Sequence, residues 1–392
     1  MTATTVATGP LHREPAAATA DDRLVYDLDG IGAQCDALLR ELPDVRVRFA
    51  LKACPVDDVL GYLAGRGIGA DAASPQEIAQ ALSAGVPIER IHYGNTVKSD
   101  GNIAHAHRLG IRDYATDSVE DVRAVAAHAP GARVFCRLAT SGAGALWGLS
   151  EKFGCSPEDA VQVLCTAREL GLAPAGLSVH VGSQQMTADA WQDAFADLAG
   201  TLTAARRHGL VLDHVNLGGG LPAFGYADRH GTPLDPPLDK IFAVLRDGMR
   251  QLRDLHGDHL AFVVEPGRHL VADHGTVHAE VVRLTRRRGP DGVDRHWLYL
   301  SVGRFNGLYE TDALQYPLVF PTHPGAEQVL ARVAGPTCDS DDAFPGLVRV
   351  PKDLRSGDPV QVRSSGAYAT SYMTRGFNGF APLPHACVGG RP

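Results

Sequence analysis

Apolar residues along the chain fall into two rhythms, short runs with a period of two and longer stretches with a period near 3.6, which predict strands and helices in regular succession. Arg23 to Leu28 reads as a short strand. Asp29 to Leu42 carries helical spacing that stops before Pro43, and Val45 to Leu51 alternates as a strand. Further strands are predicted near Gly69 to Asp71, Ile91 to Tyr93, Tyr114 to Ala115, Val134 to Leu138, Leu177 to His180, His214 to Leu217 and Ala261 to Glu265. Helical stretches fall between most of them, among them Ser74 to Ala84, Ser118 to His128, Pro157 to Leu170, Ala188 to Arg207 and Leu238 to His256. Eight strand–helix units, counted from Val45, predict an α/β fold of the (β/α)8 TIM-barrel kind, whose chemistry lies at the C-terminal ends of its strands.

Past residue 273 the rhythm changes. Thr276 to Thr285, Trp297 to Val302, Gln328 to Ala334, Leu347 to Val350 and Pro359 to Ser364 are β-rich, with Gly, Pro and Asp turns between them. They predict a C-terminal, mostly antiparallel β domain. At 392 residues the chain exceeds what one hydrophobic core usually organises, so two domains are expected. The barrel is assigned to 30–273, the β domain to 23–29 with 274–392, and a disordered tail to the Ala/Thr-rich residues 1–22. The glycine-rich stretch from Ser141 to Gly148 is expected to form a mobile loop over the strand ends.

Charge narrows the partners. With 37 Lys+Arg against 45 Asp+Glu the net charge is −8, which argues against a nucleic-acid or anionic-membrane surface. The basic run Arg286 to Arg288 reads as a solvated turn. Seven cysteines, without a CxxC pair, fit neither a disulfide framework nor a structural zinc site. No run approaches the length of a membrane span, and no secretory leader is visible, so a soluble cytoplasmic protein is expected. His105 and His107 lie on a predicted helix two apart, a poor spacing for a metal, and no metal is expected. The nucleophile elbow of serine hydrolases and the phosphate loop of nucleotide hydrolases are both missing from the sequence.

Reactive residue types gather at the predicted strand ends. Lys52 follows an apolar run, where an ammonium is expensive unless it is paired or covalently converted; a lysine snorkelling from a strand end is the alternative. His180 and Ser183 end another strand. Gly218, Gly219 and Gly220 end the next, where freed N–H groups can close on a phosphate or simply make a tight turn. Glu265-Pro266-Gly267-Arg268 offers an acid suited to a protonated ring nitrogen and a cation suited to a phosphate, or else a surface ion pair.

Phe49-Ala-Leu-Lys-Ala53, Gly69-Ala-Asp-Ala-Ala-Ser74, His180-Val-Gly-Ser183, Gly218-Gly-Gly220, Glu265-Pro-Gly-Arg268, Cys338-Asp-Ser340, Gly366-Ala-Tyr368 and Phe377-Asn-Gly-Phe380 occur in that order over nearly the whole chain after residue 22. In this the chain resembles the pyridoxal-phosphate decarboxylases of the ornithine/diaminopimelate type. The resemblance implies pyridoxal 5′-phosphate as cofactor, held covalently by Lys52, with Glu265 at its pyridine nitrogen and His180 stacked on its ring. It implies that Asp71 and Arg137 brace the lysine and ring, and that Ser183, Gly218 to Gly220, Pro266, Gly267, Arg268 and Tyr368 form the cofactor site. It further implies a homodimer with shared active sites, in which Cys338 crosses from one subunit to protonate the substrate carbon.

Asp339, Glu310 and Phe377 are the residues expected to meet the substrate. The aspartate of Cys-Asp-Ser leans towards ornithine or lysine, because the diaminopimelate branch resembles Cys-Glu-Ser at this place. Two departures point the other way: Leu146 stands where related bacterial sequences tend to carry Glu, and Ser301 where they tend to carry Asp. Diaminopimelate, or a modified or carrier-bound amino acid, is therefore the alternative substrate. Racemisation on a similar barrel and a non-catalytic regulatory relative are the remaining readings, the first opposed by Cys-Asp-Ser and Phe-Asn-Gly-Phe, the second by the joint presence of Lys52, Glu265, Arg268 and Cys338.

Overall fold

A computed structural model describes residues 22–148 and 152–390. Eight parallel strands close into a barrel in sequence order. These are β1 (Val45–Ala50), β2 (Gly69–Ala72), β3 (Ile91–Tyr93), β4 (Asp113–Thr116), β5 (Arg133–Arg137), β6 (Ala173–Ser178), β7 (His214–Asn216) and β8 (Ala261–Val264). Helices Asp57–Gly65, Pro75–Ser83, Asp100–Arg108, Val119–His128, Pro157–Glu169, Asp189–Arg207 and Leu238–His256 connect successive strands. Each strand of the periodicity-based barrel is thus found in place.

Local chemistry sets many helix starts. Ser74, Ser99, Ser118 and Ser156 each cap a helix by accepting from the N–H three residues on. Two of those helices begin with proline, at Pro75 and Pro157, where a missing N–H does no harm. The outer faces of the strands pack on the helices through residues such as Val47, Phe49, Tyr114, Leu177 and Val215, all buried.

The remaining strands form a separate sheet. Leu318–Val319, Pro359–Val362, Gly275–Arg288, Asp294–Leu300, Gln328–Ala334 and Ala343–Pro351 lie side by side in that order. All these pairings are antiparallel except that of Asp294–Leu300 with Gln328–Ala334. Strand Arg23–Asp27 joins the same sheet, antiparallel to Gly275–Arg288 and parallel to His385–Val388. The expected disordered tail lies outside the described residues but for Asp22, which accepts from the Ser301 hydroxyl at 2.7 Å.

Two expectations are corrected. Arg286 to Arg288 is not a turn but the end of the strand Gly275–Arg288, paired antiparallel with Asp294 to His296. The stretch from Ser141 to Gly148 is not a free loop: Ala145–Trp147 is a strand paired antiparallel with Ser183–Gln185. Glycines 142 and 144, both at positive φ, turn the chain back, and the Gln185 amide donates to the carbonyls of Ala143 and Val181 to fix the pair. The glycines around it hide this strand in the apolar pattern. No described helix is long and apolar enough to cross a membrane.

Candidate active site

A cavity of about 510 Å³ opens at the C-terminal ends of the barrel strands, with Tyr309, Glu310, Asp312, Tyr368 and Tyr372 of the C-terminal segment forming its opposite wall. Lys52 enters it from the single turn Leu51–Ala53 that follows β1. Its side chain is 46% exposed towards the cavity, and Nζ lies 3.3 Å from Oδ2 of Asp71, a buried residue of β2. Partial burial works against the ammonium, but Asp71 foremost, then Tyr368 and Glu265, raise its pKa. Burial likewise opposes the Asp71 carboxylate, and Lys52 with His92 overcomes it, so that its pKa falls.

Glu265 follows β8, its backbone N–H donating to the carbonyl of Gly218 at 2.7 Å. Its Oε1 accepts from Nδ2 of Asn216 on β7 and lies 2.8 Å from Nε2 of His92 on β3. Oε2 has no hydrogen-bond partner among the described residues. His180, after β6, lines the same space. Burial first, then Arg137 and Lys52, hold its pKa well below the ordinary imidazole value. The ring is accordingly neutral, with Nδ1 accepting the Gly182 N–H at 3.1 Å. Arg137, the last residue of β5, lies over the Phe153 ring at 4.9 Å.

The far end of the cavity is built for an anion. Arg268 is sandwiched among the rings of Trp147 (4.7 Å), Tyr368 (4.8 Å) and Tyr226 (5.6 Å). Its Nη2 lies 3.3 Å from the Ser183 hydroxyl, while Nε is buried without a partner. The Gly218–Gly220 turn packs too closely on neighbouring backbone to carry side chains. A Cβ on Gly218, at φ +68°, would stand 2.1 Å from the Val179 carbonyl oxygen, and one on Gly219 would stand 2.8 Å from that of Glu265. A lysine paired with a carboxylate, a second carboxylate oxygen, a neutral imidazole and an unsatisfied guanidinium N–H around one cavity suit a phosphorylated aromatic aldehyde. The residues present fit pyridoxal phosphate.

The expected site residues divide. Lys52, Asp71, Arg137, His180, Ser183, Glu265, Arg268, Glu310 and Tyr368 line the cavity; Gly218, Gly219, Gly220, Pro266 and Gly267 are not among its lining residues, Gly219 lying against the lining residues His180 and Glu265. Glu310 does not reach for a substrate amine: both its oxygens take Arg268, at 2.5 and 2.6 Å, in a buried pair. Cys338, Asp339 and Phe377 are not among the lining residues. They lie on the exposed face of the β domain, where Asn378 Oδ1 accepts the Cys338 N–H at 2.9 Å and Phe377 packs on Phe305 at 4.7 Å.

Sequence reasoning missed Trp147, Tyr226, Asn216 and Asp312. Asp312 lines the cavity with a side chain 49% exposed, an acid at its mouth that Arg304 approaches only to 3.7 Å. Asn216 stood in the triple-glycine motif, and its place two residues before the turn was the available signal. Trp147 and Tyr226 gave none, since their ring contacts are made across the fold.

Comparison with known proteins agrees with this geometry. Residues 28–272 match the family described as pyridoxal-dependent decarboxylase, pyridoxal binding domain. Ornithine decarboxylase of Caenorhabditis elegans is 31% identical, the match covering 92% of this chain and 86% of the relative. The lysine/ornithine decarboxylase of Selenomonas ruminantium is 30% identical, with 92% and 88% covered. Among solved structures, lysine/ornithine decarboxylase of Vibrio vulnificus complexed with putrescine superposes with a TM-score of 0.82 at 28% identity, covering 95% of each chain.

Proposed function

The chain belongs to the pyridoxal-dependent decarboxylases, and from that premise we propose that it decarboxylates a basic L-amino acid, ornithine or lysine, to carbon dioxide and the diamine. The observation that carries this is one cavity lined by the Lys52 amine beside Asp71 and by the Arg268 guanidinium beside Ser183. The names of the similar proteins support the choice of substrate, as does Asp312 at the mouth, placed to meet a distal ammonium.

When bound, pyridoxal phosphate supplies an electron-withdrawing ring conjugated with the substrate's Cα, which accepts the electron pair of the breaking carbon–carboxylate bond. Lys52 would hold the cofactor by its ε-amine and release it to the substrate's amine. Glu265 would offer Oε2 to the pyridine nitrogen and keep a proton there. The neutral His180 ring would lie against the ring without adding charge. Ser183, the Gly218–Gly220 N–H groups, Arg268 and Tyr368 would hold the phosphate, and Asp71 and Arg137 would brace Lys52 and the ring.

The proton that replaces carboxylate at Cα comes, in this reading, from Cys338 of the partner subunit in a homodimer. Its location on an exposed face of the β domain, away from the cavity of its own chain, supports an action across subunits. The partner's Asp339 and the partner's Phe377 complete the substrate pocket. Seven unpaired cysteines support a reducing, cytoplasmic setting.

With Glu310 committed to Arg268, few acids remain for a distal amine. This favours, as the second reading, a substrate with an altered side chain, diaminopimelate or a modified or carrier-bound amino acid. Measuring carbon dioxide release from a panel of L-amino acids by the pyridoxal-phosphate-loaded protein tests both. Turnover of ornithine or lysine is expected; no turnover of either would reject the first reading.

A further inference from the structure

The interior of the barrel below the cavity is unusually polar. Inward residues of successive strands there are Arg48 on β1, His92 on β3, Asp113 on β4, Arg133 on β5 and His214 on β7, where barrels of this fold commonly stack branched apolar side chains. They are joined end to end. His92 Nε2 meets Glu265 Oε1 at 2.8 Å and Asp71 Oδ1 at 3.2 Å. His92 Nδ1 meets the Arg48 guanidinium, which lies 3.6 Å from Asp113. Asp113 bonds Arg133 at 2.7 Å, Arg133 bonds Asp213 at 2.9 Å, and Asp213 bonds His214 at 2.9 Å.

We propose that Arg48 and His92 are positioning residues that set the hydrogen-bonding state of Glu265 and thereby aim its free oxygen at the cofactor; the proposal rests on the function given above and goes beyond it. The argument is one of donors and acceptors. An arginine is always protonated and has only N–H groups to offer, so the His92 nitrogen it touches must present a lone pair. In the neutral ring the single proton therefore sits on Nε2, between Asp71 Oδ1, its hydrogen-bond partner at 3.2 Å, and Glu265 Oε1 at 2.8 Å. Oε1 of Glu265 is then occupied from two sides, by His92 and by Asn216, and Oε2 is the atom left facing the cavity. Without Arg48 the ring could place its proton on Nδ1 and turn a lone pair onto a carboxylate.

The groups facing His92 are Asp71 and Glu265 at Nε2, Arg48 at Nδ1 and the Phe135 ring at 5.3 Å. Asp71, His92 and Glu265 have ligand atoms within 4.8 Å of one another, the spacing of a metal site. The cations already there oppose that use: Lys52 sits on Asp71 and Arg48 sits on the imidazole.

The test has two parts on the full-length chain. First, the ring-nitrogen NMR shifts of His92 are read without added cofactor, the signal being assigned by its loss in His92→Gln. A proton on Nε2 in the neutral form is expected, with Arg48→Met shifting population to Nδ1; a wild-type proton on Nδ1, or no change in Arg48→Met, overturns the proposal. Second, pyridoxal-phosphate affinity is titrated by absorbance. His92→Leu is expected to weaken it about tenfold, the worth of one charge-assisted hydrogen bond. His92→Gln, whose amide can accept from Arg48 and donate to Glu265, is expected to recover most of it. Equal losses in the two variants overturn the positioning role, whereas a wild-type chain that takes up no pyridoxal phosphate overturns the proposed function and leaves the tautomer result to stand or fall separately.

Discussion

Desolvation is the largest single influence on the Lys52 ammonium and pulls its pKa down; Asp71, helped by Tyr368 and Glu265, overcomes it and leaves the pKa raised. Asp71→Asn removes the carboxylate but keeps the shape. It should lower the pH at which the Lys52 amine loses its proton, and a pH series of borohydride trapping of pyridoxal phosphate would show the midpoint moving towards neutrality. The same substitution has a second signature in stability. Asp71 titrates below its ordinary value of 3.8, so it stabilises the fold above that pH and the contribution is lost as pH falls through the lower, folded-state value. In Asp71→Asn that part of the acid limb should flatten in a thermal-melt series run below pH 4. Residues of this kind were legible because a charged side chain directly after an apolar strand calls for an explanation. Arg48 was not: it alternates with Val47 and Phe49 as a solvent-facing residue would, and only closure of the barrel turns that polar face inward.

Among elements, the turn after β7 carries the sharpest expectation. Gly218 stands at φ +68°, and an added Cβ would meet the Val179 carbonyl at 2.1 Å, which is backbone and cannot swing away. Gly218→Ala should weaken pyridoxal-phosphate uptake by roughly tenfold or more through displacement of this turn. Equilibrium dialysis of the folded variant measures this, and unchanged affinity would remove the turn from the cofactor site. The barrel itself was readable because buried parallel strands leave apolar runs, and capped helices between them leave a Ser and a 3.6 rhythm. Its margins were harder. The Ala145–Trp147 strand is specified by its pairing with Ser183–Gln185, forty residues on, and not by any local preference.

At the scale of the whole molecule, the position of Cys338 decides how the active unit is composed. It is exposed on the β domain and absent from the cavity of its own chain. Lys52→Ala should be inactive alone, and Cys338→Ala strongly impaired. If sites are shared in a homodimer, as proposed, random reassociation of equal amounts should restore about a quarter of wild-type turnover, since half the dimers would be mixed and each mixed dimer would keep one intact site. No recovery after verified subunit exchange would place both groups in one subunit. The motif order had pointed to such sharing, but what a surface cysteine touches in another copy cannot be derived from the periodicity of one chain.

The strand at Arg23–Asp27 is held on one side by Gly275–Arg288 and on the other by His385–Val388. During translation this segment leaves the ribosome long before either partner exists, whereas the barrel that follows can close as its units emerge. The β sheet is therefore expected to be the late step of biogenesis, with an apolar-faced strand waiting unpaired until then. Crowded expression at high temperature would tax that waiting strand first, and losses during synthesis should fall when translation is slowed or chaperones are supplied.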